Sequence, residues 1–329
     1  MLKCIIDAST LVGVVVFAIL MGCIYQFIFR KFTALLQGRR GPLVLVYRDL
    51  WHLMGITRIL QPLYDVGKLL AKNTVIPGSA FKPLYIASPI LALVFAILSA
   101  VFIPLPGMPI LSSLEHSLSL AILFLALYSS MVFIGGAASS SPWSAAGAKR
   151  EIIQFAFYET ALVLAVLLAA VTCGSFSILQ ISMKTRSLPL SITNPFAALL
   201  FLLACTGKLH IKPYDVPEAE PEVVAGPYTE YGGKLLALFL TARLIIIYTC
   251  ISLFSTLFLS MGLFLPVDPW LSHVFFPCLA VVALSILHAI SPRLRGPGAV
   301  AKSYLILMVI LTILSATSAV ILSPLYTGG

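Results

Sequence analysis

The chain of 329 residues is 60% apolar and only 10% charged, with a mean hydropathy of +1.05 and a formal net charge of +9. A soluble domain of this size would carry roughly a quarter to a third charged residues on its surface, so a water-borne globular fold is excluded and an all-α polytopic membrane protein is expected. The positive balance gathers in alternate loops, which excludes nothing membrane-like and gives a nucleic-acid reading no support.

In chain order, apolar stretches near the ~20 residues needed to cross a bilayer fall at about Ile5–Phe29, Leu84–Ile103, Ser117–Ile134, Ile152–Val171, Leu188–Thr206, Leu235–Ser260, Ser272–Ile290 and Tyr304–Ser323. Eight transmembrane helices are therefore expected in a single integral membrane domain, residues 1–329. The fifth is the weakest, because Pro189 and Pro195 interrupt its first half. Loops 30–83, 135–151, 207–234 and 291–303 hold seventeen Lys and Arg residues, and the other loops with both termini hold three. Basic residues stay on the cytoplasmic side during insertion, which predicts both termini outside. Six scattered cysteines include no CxxC pair, so they are expected to pack and not to ligate metal.

Two cytoplasmic loops stand out. In loop 30–83, Ile59, Leu60, Leu63, Val66, Leu69 and Leu70 recur at helical spacing with Asp65, Lys68 and Lys72 among them, the pattern of an amphipathic helix on the membrane surface. Loop 207–234 carries Asp215, Glu218, Glu220, Glu222 and Glu230, five of the twelve acidic residues in the chain. A solvated linker would mix its acids with Lys, Ser and Gln, whereas these alternate with Val, Ala, Pro and Tyr. The loop is expected to be packed, with carboxylates that line a polar cavity or meet a partner. Glu218, Glu220 and Glu222 would share one side if the segment is extended.

Within the spans, Glu159 and Arg243 should reach similar depth, and an isolated charge there costs at least ~2.5 kcal/mol. Either Glu159 belongs to an ion path tuned by Arg243, or the two form a static ion pair between the fourth and sixth helices. His210 is an inner-face candidate for partner contact, and His288 is expected to pack.

The segments "RRGP" at 39–42, "LQPLYDVGKLLAKN" at 60–73 and "KPYDVPEAEPEVVAGPYTEYGG" at 212–233 resemble the H subunit, or subunit 1, of NADH:quinone oxidoreductase (respiratory complex I). That family also supplies the membrane anchor of energy-converting nickel–iron hydrogenases and of the archaeal membrane-bound sulfane reductase. The resemblance implies a subunit that docks a peripheral redox arm on the membrane and links electron transfer to H⁺ or Na⁺ translocation. It implies an ion path and coupling role for Glu159, Asp215, Glu218, Glu220, Glu222, Glu230 and Arg243. It also implies a peripheral-arm interface at Arg39, Arg40, Gly41, Pro42, Gln61, Asp65, Lys68, Lys72 and Tyr231. No cofactor is expected on this chain; iron–sulfur clusters, with or without a nickel–iron centre, would lie on partners. Those partners would be hydrogenase-like large and small subunits, a ferredoxin-like iron–sulfur subunit and antiporter-like membrane subunits.

Departures from the complex I pattern point to the ferredoxin-dependent hydrogenase or sulfane-reductase branch. Lys72 is followed by Asn73, the stretch "LVLVYRDLWHLMGITRI" separates Pro42 from Leu60, and the acidic motif opens Pro213-Tyr214-Asp215. A quinone-chamber subunit is one alternative. A stand-alone ion or solute transporter is another, for which eight spans and buried charges would also serve.

Overall fold

The computed structural model describes residues 8–39, 41, 59–107, 111–186, 188–259, 269–294 and 296–322. Its helices are α1 (Ala8–Leu36), α2 (Gln61–Ala71), α3 (Lys82–Val101), α4 (Ser117–Ala138), α5 (Pro142–Cys173), α6 (Ile178–Lys184), α7 (Leu190–Thr193), α8 (Pro195–Lys208), α9 (Glu220–Val223), α10 (Gly233–Phe254), α11 (Pro269–Ile290) and α12 (Pro297–Leu322). A π-helical turn, Ser255–Leu259, continues α10. Among the described residues seven helices are long and apolar enough to span a bilayer: α1, α3, α4, α5, α10, α11 and α12.

The expected fifth span is thus corrected: its sequence forms α7 and α8 instead of one helix. Pro189 precedes α7, and Asn194 breaks the chain with a non-helical backbone (φ −133°, ψ 70°) while its Oδ1 accepts the Ala197 N–H at 3.1 Å. Pro195 then opens α8, where a missing N–H costs nothing. The 14 residues of α8 cover only ~21 Å. The chain nonetheless returns across the bundle here. Its departure end is marked by the Leu118 N–H bonded to the Phe176 carbonyl, and its arrival end by Lys212 N–H bonded to His288 Nδ1. Both ends of the described chain therefore lie opposite the acidic loop.

Small residues let the helices approach closely where apolar surface gives no drive against lipid. Ala92, Ala96 and Ala100 recur every fourth residue on α3, and Ala161, Ala165 and Ala169 do so on α5, all essentially inaccessible. Helix α3 packs on α4 and α10, α5 on α8 and α12, and α1 on α10 and α11. Exposed Ile306, Ile310 and Ile313 on α12 face outward, as lipid-facing residues should. Helix α2 buries none of its residues fully, keeps Asp65 and Lys68 exposed, and lies against α10 and α1. That is the surface helix expected from its periodicity.

Helix α5 begins ten residues before the expected span, at Pro142, and so carries Glu151 within its regular structure. Its Gly147 lets the acidic loop come close: a Cβ there would lie 2.5 Å from Gly226 Cα and 2.8 Å from Pro227 N. Gly226 itself has φ +58°, a left-handed value suited to glycine.

Candidate functional site

The acidic loop folds inward onto the bundle. Ser144 Oγ of α5 donates to the Pro227 carbonyl at 3.0 Å, and Gln154 Nε2 donates to the carbonyls of Gly207 at 3.0 Å and Tyr214 at 2.6 Å. Tyr231 is buried, stacked on Tyr85 with ring centroids 4.2 Å apart. Its hydroxyl donates to the Tyr85 carbonyl at 3.1 Å, and Tyr85 returns a bond to the Glu230 carbonyl at 2.7 Å. Tyr231 thus fixes the loop to α3 from inside, which corrects its expected place on an outward interface.

Asp215, Glu218 and Glu222 do not share a side. Glu220–Val223 forms a helical turn, so the extended-segment expectation fails. Glu222 points outward to Arg150 Nη1 at 2.6 Å. Asp215 accepts from Arg293 Nε at 3.0 Å and Nη2 at 2.8 Å, tying the loop to the segment after α11. Glu218 turns in and accepts from Arg243 Nη1 with both oxygens, at 2.8 and 3.0 Å. Arg243 therefore pairs with the loop, not with Glu159, and of the two alternatives for these charges the static pair between the fourth and sixth helices does not form.

His210 connects the loop to the bundle. Its Nδ1 lies 2.7 Å from Glu218 Oε1 and its Nε2 lies 2.8 Å from Glu151 Oε2. Burial opposes charge on the ring, yet the Glu151 and Glu218 carboxylates outweigh it and push His210 up to about 10. Burial likewise raises a carboxyl, but Arg243 and then His210 overcome it and hold Glu218 down at about 2. Both are charged near neutral pH. His210 is corrected from a surface contact to a buried bridge.

From Glu151 the chain of polar groups continues along α5, where Tyr158 Oη donates to Glu151 Oε1 at 2.9 Å. The Tyr158 ring lies 5.2 Å from Lys208 Nζ, which bonds Glu159, the Leu125 carbonyl at 3.0 Å and Ser129 Oγ at 3.0 Å. Three acceptors match the three protons of a buried ammonium, so this Lys is fully satisfied although only 6% exposed. The second oxygen of Glu159 is buried without a partner among the described residues. A void of about 10 Å³, near the space of one water, separates Glu151, Lys208, His210, Tyr228 and Arg243.

Glu151, Lys208 and Arg293 were missed as site residues, and His210 was expected only as a contact for a partner. Their spacing carries no local signal: His210 and Glu151 are 59 residues apart, and Lys208 and Glu159 are 49 apart. An interrupted apolar stretch that ends in Lys was the one available hint. Of the other expected residues, Arg39 is exposed, Gly41 rests on the aliphatic stem of Lys31, and Gln61, Asp65, Lys68 and Lys72 lie on or just after α2. Arg40 and Pro42 lie outside the described residues, as does the Glu220 side chain. Asp65 joins Gln26, Arg30 and Arg243 around a cavity of about 70 Å³, and a larger one of about 200 Å³ lies between α1, α10 and α11, reaching Tyr25, Arg30, His210 and Arg243.

Fold and site together define a multi-pass membrane protein of the cell membrane with a buried ladder of charged groups leading inward from one loop face. The chain belongs to the NADH dehydrogenase family of respiratory membrane subunits, whose family model, described as NADH dehydrogenase, matches residues 9–320. It is 32% identical over 271 residues to the H subunit of NADH-quinone oxidoreductase from Bacillus cytotoxicus, covering 81% of this chain and 79% of that one. It is 31% identical over 290 residues to the H subunit from Syntrophotalea carbinolica, covering 85% and 84%. Among solved structures it matches a chain of the membrane-bound sulfane sulfur reductase, an archaeal respiratory membrane complex. That match has a TM-score of 0.79 and 24% identity, covers 95% of this chain and 98% of that one, and is a likeness of fold.

Proposed function

We propose that this chain is the membrane anchor and coupling subunit of a multisubunit, ferredoxin-dependent respiratory oxidoreductase of the hydrogenase or sulfane-reductase type. Its acidic-loop face docks the peripheral arm through Arg39, Arg40, Gly41, Pro42 and α2, and the redox centres lie on that arm. The single observation that carries the coupling role is the ladder Arg243–Glu218–His210–Glu151–Tyr158, which passes beside Lys208–Glu159.

Such a ladder transmits charge. His210 stays protonated because two carboxylates face it, so a proton arriving at Glu218 or Glu151 removes half of that support and favours release of the imidazolium proton. A water in the small void would carry the proton toward Lys208 and Glu159, whose unpaired oxygen can accept it. Asp215, Glu222 and Glu230 hold or face the loop where an arm would sit, so a redox event there can shift Glu218 against Arg243. The ion is H⁺ in this account, and the carboxylates would also suit Na⁺.

A second reading has its own observation. The 200 Å³ cavity has an apolar wall of Phe29, Ile247, Ile251 and Val281 and donors at Tyr25, Gln26, Arg30 and Arg243, a combination suited to the ring of a quinone. The bacterial relatives are named for quinone reduction. A stand-alone transporter loses its ground, since family membership covers nearly the whole chain.

Tagging the chain in its native host and isolating it in mild detergent tests the proposal. Co-purified iron–sulfur proteins and antiporter-like subunits without bound quinone are expected. Bound quinone would favour the second reading, and a solitary, metal-free chain would overturn both.

A further inference from the structure

A second set of polar groups runs away from the charged ladder. On α1, α10 and α11 the atoms Tyr25 Oη, Gln26 Oε1, Tyr248 Oη, Ser252 Oγ and both ring nitrogens of His273 are buried with no hydrogen-bond partner among the described residues. A buried polar group left without a partner is destabilising, so a cluster of them calls for an unseen partner such as water. Tyr25, Tyr248 and Ser252 are contiguous, and the Phe17 ring lies between them and His273. Tyr25 stacks on Tyr248 with centroids 6.4 Å apart, and Ser252 sits beside both phenols without meeting bonding geometry. Phe17 touches Tyr248 at 5.9 Å and His273 at 6.1 Å.

The seam has two defined ends. Tyr25 and Gln26 line the 200 Å³ cavity that also reaches His210 and Arg243. His273 is completely buried one turn into α11, 15 residues before His288, hence ~22 Å from the loop face. An apolar core has no use for a fully buried imidazole with both nitrogens unbonded, and packing alone would be served by Phe. An imidazole that takes a proton on one nitrogen and gives it up from the other suits the end of a proton wire.

We propose that the α1–α10–α11 seam is a hydrated proton route from the inner cavity to the face opposite the acidic loop, with Tyr25, Tyr248 and Ser252 holding the water chain and His273 as its terminal relay. Phe17 is its one apolar constriction among these groups, and it limits passive leakage. A proton given up by His210 is relayed from the cavity along water and hydroxyl groups, protonates His273 on one nitrogen and leaves from the other, so the seam is reset with no net chemistry. The seam starts at the cavity that His210 and Arg243 line, so it continues the charged ladder in series, and its conducting role rests on the coupling function proposed above.

Two measurements on the intact native complex decide the matter. Water-radical footprinting in ¹⁸O-labelled water needs no variant, and tyrosines 25 and 248 with His273 should label at rates comparable with exposed residues; absence of label at all three overturns the proposal. Tyr248→Phe and His273→Gln, each reconstituted in vesicles, should lower the proton-to-electron ratio at least twofold while electron transfer stays within twofold of the parent. Labelling with an unchanged ratio in both variants would make the water merely structural and overturn the conducting role.

Discussion

At the scale of single residues, the site is governed by buried charges that neutralise one another. His210 gains stability for the fold because its pKa rises from 6.5 to about 10; that contribution is whole below about 6.5, declines above it and is gone once pH passes about 10. Glu218 works in the opposite sense: lowered from 4.5 to about 2, it contributes fully above about 4.5 and loses its contribution as pH falls through about 2. Thermal unfolding of the detergent-solubilised protein should therefore be most resistant between about pH 4.5 and 6.5 as far as these two groups decide it, and the Glu218→Gln variant should flatten the acid limb. The Lys208–Glu159 pair makes a second prediction. Lys208→Met alone leaves a buried carboxylate without its partner and should cost about 3–5 kcal/mol, whereas Lys208→Met with Glu159→Gln should recover most of the loss. Denaturant unfolding of the four proteins gives the coupling directly, and additive losses would show the pair to be independent.

At the scale of elements, close approaches position the loop. Gly147→Ala pushes a methyl group into the backbone of Gly226 and Pro227, so it should destabilise loop docking by about 1–3 kcal/mol and expose the loop to protease before the bundle unfolds. Protection equal to the parent would show that the loop can shift aside freely. Replacing Asn194 by Ala removes the cap of α8 and should cost about 1 kcal/mol, read as a lower Tm. Much at this scale was legible in the sequence: seven apolar runs gave seven spans, and the period of Leu63, Val66 and Leu70 gave the surface helix α2. The fifth run was legible only as trouble, since prolines announce a break but not how the chain makes its crossing around it. Pairings such as Glu218–Arg243 and Glu151–His210 were not legible, because they arise from a loop folded back across helices far apart in sequence and leave no periodic trace.

At the scale of the whole molecule, charge is sorted with purpose. Lipid-facing helices expose Ile, Leu and Val, while Glu151, Glu159, Lys208, His210 and Arg243 converge in the interior behind a single loop. A protein with only an anchoring role could have replaced those pairs with apolar side chains at little cost or with a gain in stability. The proposed coupling role accounts for their presence, as a route for a charge change from the loop face into the membrane. The most direct measurement is ion translocation per electron by the intact complex carrying Glu151→Gln, reconstituted in vesicles and driven by reduced ferredoxin. The amide keeps one acceptor oxygen, for either Tyr158 or His210, and cannot take up a proton as a carboxylate does. The account predicts that translocation per electron falls at least fivefold while electron transfer persists; a ratio equal to that of the parent complex would contradict it.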